Sequence, residues 1–135
     1  MTVKTPKLYW VDLGIVLRGA PMADAFSGAA FETLVVTEAH KWTGTSGREV
    51  DLSFYRTRSG FEVDLIVATG EAFFAIEAKA REVVTGTDFR GLRALAQSAP
   101  PGIWRGGLCV HKGSHLSCFD EQMDLWAVPV HRLFA

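Results

Sequence analysis

The alternation of apolar and polar residues along the chain predicts helices interleaved with strands. Between residues 24 and 42, apolar side chains recur at helical spacing, which predicts an amphipathic helix. Three strand candidates follow at residues 52–56, 61–68 and 73–79, and short polar turns that contain glycine connect them as hairpins. Residues 43–47, between the helix and the first of these strands, are rich in Thr, Gly and Ser and are predicted to form a loop.

The rest of the chain contributes further elements of both kinds. Thr87 is predicted to cap a helix that the Pro-Pro-Gly stretch at residues 100–102 ends. The other predicted elements are strands at 7–12, 103–111 and 124–128 and helices at 13–18, 88–98 and after Pro129. Helices and strands in this order predict an α/β fold, in which helices flank a central mixed sheet on both faces.

Composition and charge narrow the class of protein. The chain has 135 residues, which suits a single domain. Its formal net charge of −1 excludes a strong overall attraction to nucleic acid or to an anionic membrane, although a local basic patch is compatible with it. There is no long apolar run and no secretory leader, so we expect a cytoplasmic protein that does not enter a membrane. Cys109 and Cys118 lack metal-binding spacing and are expected to be reduced thiols.

Charged residues interrupt two of the predicted strands. Because side chains alternate between the two faces of a strand, Asp64 is expected on the face opposite that of Val63 and Leu65. In the next strand, Glu77 and Lys79 share one face by the same rule. If the two strands form a hairpin, their register can place Asp64 beside Glu77. Two adjacent carboxylates repel each other unless a cation or a proton lies between them.

This grouping has a specific chemical use. Mg²⁺ or Mn²⁺ binds a few carboxylate oxygens, keeps several waters and leaves room for a substrate phosphate. The bound ion makes water more acidic and neutralises charge that develops on a phosphodiester. Lys79 lies two residues beyond Glu77, about 7 Å further along the same face, where its side chain can orient or help deprotonate the attacking water, or stabilise the phosphorane. The pattern is therefore typical of metal-dependent hydrolysis.

The arrangement of Asp64 before Glu77-Ala78-Lys79 across a hairpin resembles the PD-(D/E)xK superfamily of restriction-endonuclease-like nucleases, with Val63 in place of the motif's proline. The longer stretch from Phe54 to Lys79 is similar to a narrower group. This group is the C-terminal domain of unknown function that follows an AAA-type ATPase module in prokaryotic ATP-binding proteins. The resemblance implies a restriction-endonuclease-like fold for residues 1–135, as one domain at the C-terminal end of a longer ATPase.

The resemblance also implies a glutamate from the preceding helix. The superfamily often has it in a G-x-x-F-E setting, which here is Gly28-Ala29-Ala30-Phe31-Glu32. Glu32 is therefore expected to be catalytic and to bind metal. Glu38 is the alternative, since it lies nearer the centre of the apolar stripe of the helix, where an unpaired carboxylate would be costly.

The implied function is a Mg²⁺- or Mn²⁺-dependent nuclease that acts on nucleic acid, DNA in preference to RNA. Its expected catalytic residues are Lys79, Glu77, Asp64 and Glu32, and its expected phosphate-binding residues are Arg56, Arg58 and Arg81. The alternative is a catalytically silent nuclease fold that binds or regulates an AAA-type ATPase, since a fold does not by itself imply an activity. In either case the ATPase partner is expected in the same full-length chain, and self-association into a homo-oligomer is left open.

Overall fold

One mixed sheet forms the centre of the structure, a computed structural model that describes residues 28–47, 49–58 and 60–133. The helices are α1 (Gly28–Thr45), α2 (Arg90–Ser98) and α3 (Val130–Leu133), with a 3₁₀ helix (Gly86–Phe89) before α2. The strands are β1 (Asp51–Arg56), β2 (Glu62–Thr69), β3 (Ala72–Lys79), β4 (Trp104–His111), β5 (Ser117–Asp120) and β6 (Leu125–Pro129). The strand predicted at 7–12 and the helix predicted at 13–18 lie outside the described residues. None of the helices in the described part is long and apolar enough to cross a membrane.

The strand order in the sheet is β1-β2-β3-β4-β6-β5. β1, β2 and β3 pair antiparallel through two hairpins, as predicted, whereas β4 lies parallel to β3 and β6 lies parallel to β4. A parallel neighbour requires a crossover connection, and the 3₁₀ helix and α2 lie within the connection from β3 to β4. β5 pairs antiparallel with β6 at one edge. The predicted mixed sheet and the α/β class are therefore confirmed.

Separate apolar clusters cover the two faces of the sheet. The α2 face is the one that α2 covers, and its buried residues include Val63, Ala75, Leu92 and Cys109. The α1 face is the one that α1 covers, and its buried residues include Phe31, Val35, Leu65, Ile76 and Val110. Because Ala75 and Ile76 are consecutive in β3 but belong to different clusters, helices flank both faces of the sheet.

A β-bulge in β2 changes the expected alternation of side chains next to the predicted site. The register between β1 and β2 shifts so that Asp64 and Leu65 together lie opposite the single residue Phe54. As a result, Val63 is buried on the α2 face and Leu65 on the α1 face. The prediction that Val63 and Leu65 share a face is wrong, because an extra residue in one strand leaves no mark in the apolar pattern.

The structure differs from the predictions at the end of α1, at the cap before α2 and at β5. α1 continues to Thr45, through part of the predicted loop, and the Thr43 and Thr45 hydroxyls donate to carbonyls of the preceding turn. Thr85 rather than Thr87 caps the turn before α2, because Asp88 Oδ2 accepts a 2.9 Å hydrogen bond from the Thr85 amide. β5 was not predicted, since four residues carry too short a pattern and the open edge of β6 selects the strand.

Gly91 lets α2 approach β2 closely, and we predict that Gly91→Ala destabilises the fold. A Cβ at this position would overlap the carbonyl group of Glu62, at 3.0 Å from its carbon, and would lie 3.3 Å from a Val63 methyl group. Because a backbone carbonyl yields only if the whole strand or helix shifts, the free energy of unfolding in urea should fall by about 2 kcal/mol or more.

Gly44→Ala is the matched control. A Cβ built on Gly44 meets no atom within 4 Å in the described part of the chain, and Gly44 lies in the last turn of α1. Alanine favours a helix over glycine, so this variant should be as stable as the wild type or slightly more so. If Gly91→Ala also unfolded at the wild-type urea concentration, α2 would have room to move away from β2.

Candidate active site

Strands β2 and β3 stop pairing beyond Leu65 and Ile76, and the candidate site begins at this point. The next residues are Asp64 on β2 and Glu77 on β3, so the two carboxylates start from neighbouring backbone positions. Asp64 Oδ2 accepts a hydrogen bond of 2.8 Å from the Ala78 amide. A side chain of β2, rather than its backbone, therefore holds β3 at this level of the sheet.

A polar cleft of about 300 Å³ opens on the α2 face where β3 ends. The start of β2, the end of β3 and the start of α2 line it, and its charged lining residues are Glu62, Glu77, Lys79, Arg81, Asp88 and Arg90. The structure thus brings together three residues of the predicted site, which are Glu77, Lys79 and Arg81. Three of these residues are acidic and three are basic, so an anion that enters the cleft meets both cations and carboxylates.

Asp64 is buried beside the cleft and does not line it. Its residue exposure is 4%, and that of Glu77 is 7%. Glu77 therefore lines the cleft with most of its surface buried, whereas Asp64 is buried outside the lining.

Cys109 is the β4 neighbour of Glu77, and several charged groups influence its thiol. Burial, followed by the carboxylates of Glu77, Asp88 and, least of them, Asp64, raises the pKa of this thiol from 9.0 to about 12. The Lys79 ammonium lowers it. Because all four groups act on one buried sulfur of the α2 face, Asp64 belongs to the same charged group as Glu77 and Lys79.

Asp88 is a residue of the cleft that sequence reasoning missed. Its side chain is 2% exposed, and its Oδ1 atom accepts a hydrogen bond of 2.7 Å from Arg81 Nη1. Its Oδ2 atom accepts the Thr85 amide, so both oxygens are engaged. In the sequence, an aspartate at the start of a helix indicates only a cap. The pairing of Asp88 with Arg81 depends on the turn between β3 and α2.

The α1 glutamates do not line the cleft. Glu38 borders a separate cavity of about 520 Å³ on the α1 face, with Val67 and Phe74, and forms an exposed ion pair of 3.4 Å with Lys41. Glu32 is half-buried on the same helix, which packs against the α1 face. Neither glutamate is among the lining residues of the cleft, and the role of Glu32 stays a prediction.

The two arginines of the β1–β2 hairpin lie outside the cleft. Arg56 is exposed, and its Nε atom donates to Glu62 Oε1 at 2.6 Å, which ties it to a residue of the cleft wall. Arg58 is exposed in the turn. Of the three arginines predicted to bind phosphate, Arg81 alone lines the cleft among the residues that the structure describes.

The donor atoms of the cleft fit a hard divalent cation in kind. Mg²⁺ is commonly held by one or two carboxylates, and waters complete its coordination. Glu77 at the cleft wall and Asp64 beside it are the residues that would hold such an ion. Across residues 28–47, 49–58 and 60–133, no three His, Cys, Asp or Glu side chains form a closed metal-binding group. A site with two carboxylates, completed by waters, would match the usual ligands of Mg²⁺ and would not form such a three-residue group.

The raised pKa of Cys109 predicts that its thiol is unreactive in the folded protein. With a pKa of about 12, the reactive thiolate is scarce near pH 8, whereas Cys118 is partly exposed on β5. Iodoacetamide followed by mass spectrometry should modify Cys118 and spare Cys109 until urea unfolds the chain. Rapid modification of Cys109 in the Cys118→Ser variant would contradict its burial among carboxylates.

Burial also lowers the pKa of His111, which predicts a loss of stability in mild acid. His111 is 2% exposed, its Nδ1 atom accepts the Gly113 amide at 3.0 Å, and its Nε2 atom lies 3.1 Å from the His115 carbonyl oxygen, which fits the neutral ring. The unfolded state then takes up a proton more readily than the folded state. The contribution of the neutral His111 ring to the free energy of unfolding is therefore fully present above the unfolded pKa of 6.5. It is lost progressively as the pH falls below this value.

The measurement is urea denaturation at several values between about pH 7.5 and pH 5. His111→Asn keeps an acceptor for the Gly113 amide but does not titrate, so its stability should change less over this range than that of the wild type. His40→Asn, at an exposed position on α1, is the control and should keep the wild-type dependence. An identical pH dependence in the His111 variant would assign the effect to other groups.

One protein family matches this chain. Its description is a domain of unknown function (DUF4143), and the match covers residues 27–133, a range that includes every described strand and helix. No curated protein matches the chain. The narrower resemblance drawn from the sequence, to a domain of unknown function, agrees with this match. The chain therefore belongs to the DUF4143 family of domains.

Proposed function

We propose that the domain hydrolyses phosphodiester bonds of nucleic acid, DNA in preference to RNA, with the help of Mg²⁺ or Mn²⁺. The observation that carries this proposal is the placement of Glu77 and Lys79 side by side in one polar cleft, with Asp64 hydrogen-bonded to the strand between them. A carboxylate pair with a neighbouring ammonium suits attack on phosphorus, where negative charge develops. The resemblance to the PD-(D/E)xK nucleases supports the same reaction.

Each residue has a distinct part in the proposed reaction. Glu77 and Asp64 supply oxygen ligands for the divalent ion, which when bound polarises the phosphate and acidifies water. Lys79 positions or activates the attacking water, and Arg81 binds phosphate at the end of the cleft. Glu62 neutralises Arg56 at the outer wall. Glu32, with Glu38 as the alternative, remains the proposed contribution of α1.

A second candidate function follows from the burial of Asp64. A carboxylate that is 4% exposed and bonded to a backbone amide can serve the fold alone. The domain would then be a silent nuclease fold that binds or regulates an AAA-type ATPase module of the same full-length chain. The two candidates differ in whether Glu77 binds a divalent cation.

Cleavage of supercoiled plasmid in the presence of Mn²⁺ tests the enzymatic proposal. Lys79→Ala should lower the nicking rate by about 100-fold or more, since a positioned proton-transfer group typically contributes 10²–10⁴ to a rate. Lys41→Ala is the matched control, because it removes an exposed lysine whose ion pair with Glu38 lies on the α1 face. This control should cleave within about twofold of the wild type, as an exposed ion pair contributes little.

Calorimetric titration with Mn²⁺ separates the two candidates. Glu77→Gln should abolish binding of the ion, whereas Glu71→Gln, at an exposed position in the turn between β2 and β3 and outside the cleft, should leave it unchanged. Equal cleavage by the wild type and the Lys79→Ala variant would remove the enzymatic proposal. A domain that neither binds Mn²⁺ nor nicks plasmid would instead favour the silent module.

A further inference from the structure

Arg81 lies two residues after the proposed catalytic lysine, and its backbone is held by hydrogen bonds on both sides. Its amide donates to the Lys79 carbonyl at 2.7 Å, and its own carbonyl accepts the Lys112 amide at 2.8 Å. β3 ends at Lys79, so the first bond closes a tight turn at the end of the strand, and the second continues the connection to the β4 side of the sheet. The position of the Arg81 Cα atom is therefore set by the sheet rather than by a loose loop.

The side chain of Arg81 is fixed as well, by Asp88. The 2.7 Å bond from Nη1 to Asp88 Oδ1 holds one edge of the guanidinium. Asp88 itself has little freedom, because its side chain is 2% exposed and its Oδ2 atom accepts the Thr85 amide. A guanidinium is planar, so one strong contact to a rigid partner largely sets the direction of its other N–H groups.

The rest of the guanidinium remains available to a ligand. Arginine carries five N–H donors, and the bond to Asp88 uses one of them in the described structure. The side chain is 58% exposed and lines the same cleft as Lys79 and Glu77. A fixed planar fork with exposed donors is the arrangement that binds phosphate oxygens in pairs.

The capping hydrogen bond alone does not explain why residue 88 is an aspartate. The 3₁₀ helix needs one side-chain oxygen for the Thr85 amide, and a neutral Asn or Ser would supply it without burying a charge. The second oxygen and the negative charge of Asp88 act on Arg81. An aspartate at this position is thus explained by the guanidinium that it holds.

We infer that Asp88 is a positioning residue, which orients Arg81 to bind a backbone phosphate beside the one that is cleaved. This inference rests on the proposed function, because it takes a phosphodiester chain as the ligand. Lys79 and Glu77 remain for the reacting phosphate, and Arg81 fixes the register of the strand in the cleft. Such a contact is independent of base sequence.

Binding of a short fluorescein-labelled DNA duplex, followed by anisotropy with Ca²⁺ in place of Mg²⁺, tests the contact. Arg81→Ala should raise the Kd about tenfold and lower the salt dependence of binding by about one phosphate contact. Arg105→Ala is the matched control, because Arg105 is exposed at the start of β4, outside the cleft, and should leave both quantities unchanged. Lysine at position 81 keeps the charge but lacks the planar fork, so Arg81→Lys should recover less than half of the lost affinity on a logarithmic scale.

Asp88→Asn separates positioning from simple electrostatics. Removal of a negative charge beside the cleft would by itself strengthen DNA binding, whereas loss of positioning should weaken it about fivefold. In the Arg81→Ala background the same substitution should cost no affinity, because the residue that Asp88 orients is already absent. Circular dichroism identifies any loss of folding, and Arg81→Lys tests the orientation without altering the buried carboxylate.

Several results of these binding measurements would contradict the inference. Wild-type affinity in Arg81→Ala, or full recovery by Arg81→Lys, would overturn the inference and leave the nuclease proposal standing. Tighter binding by Asp88→Asn, or an equal cost in both backgrounds, would also overturn it. If the wild-type domain does not bind the duplex, the proposed function fails, and the inference fails with it.

Discussion

The bond from the Ala78 amide to the Asp64 carboxylate is the contact on which the candidate site depends. β2 and β3 stop pairing at Leu65 and Ile76, and the bulge gives β2 an extra residue at the same level. A strand end of this kind would leave a β3 amide without a partner, which is costly away from water. The Asp64 side chain supplies the acceptor, and the strands can part while Glu77 stays beside Asp64.

Acidic and basic side chains lie close together around the contact between Asp64 and Ala78. Glu77 and Lys79 share the cleft wall, Asp88 holds Arg81, and Glu62 holds Arg56. Buried carboxylates are tolerated only where a cation or several hydrogen bonds compensate them. Glu77 shares the cleft with Lys79, and Asp64 is bonded to the Ala78 amide between them. The proposed nuclease chemistry rests on this placement.

Most of the fold could be predicted from periodicity, and the failures have local causes. The helix that became α1, the hairpins of β1 to β3 and the later strands carry clear apolar patterns. β5 has only four residues and exists because β6 offers an open edge, which is a long-range effect. The bulge at Asp64 is likewise invisible in a single strand, because it is defined by the register with β1. These are the features that place Val63 and Leu65 on different faces.

The sequence by itself determined which strands carry charge and that Glu77 and Lys79 share a face, because alternation along one strand is a local property. Tertiary structure decided that Asp64 lies beside the cleft rather than in its wall, and that neither Glu32 nor Glu38 lines the cleft. It also brought Asp88 to Arg81. Such contacts depend on strand register and on a turn between elements, and neither is encoded in the period of a single segment.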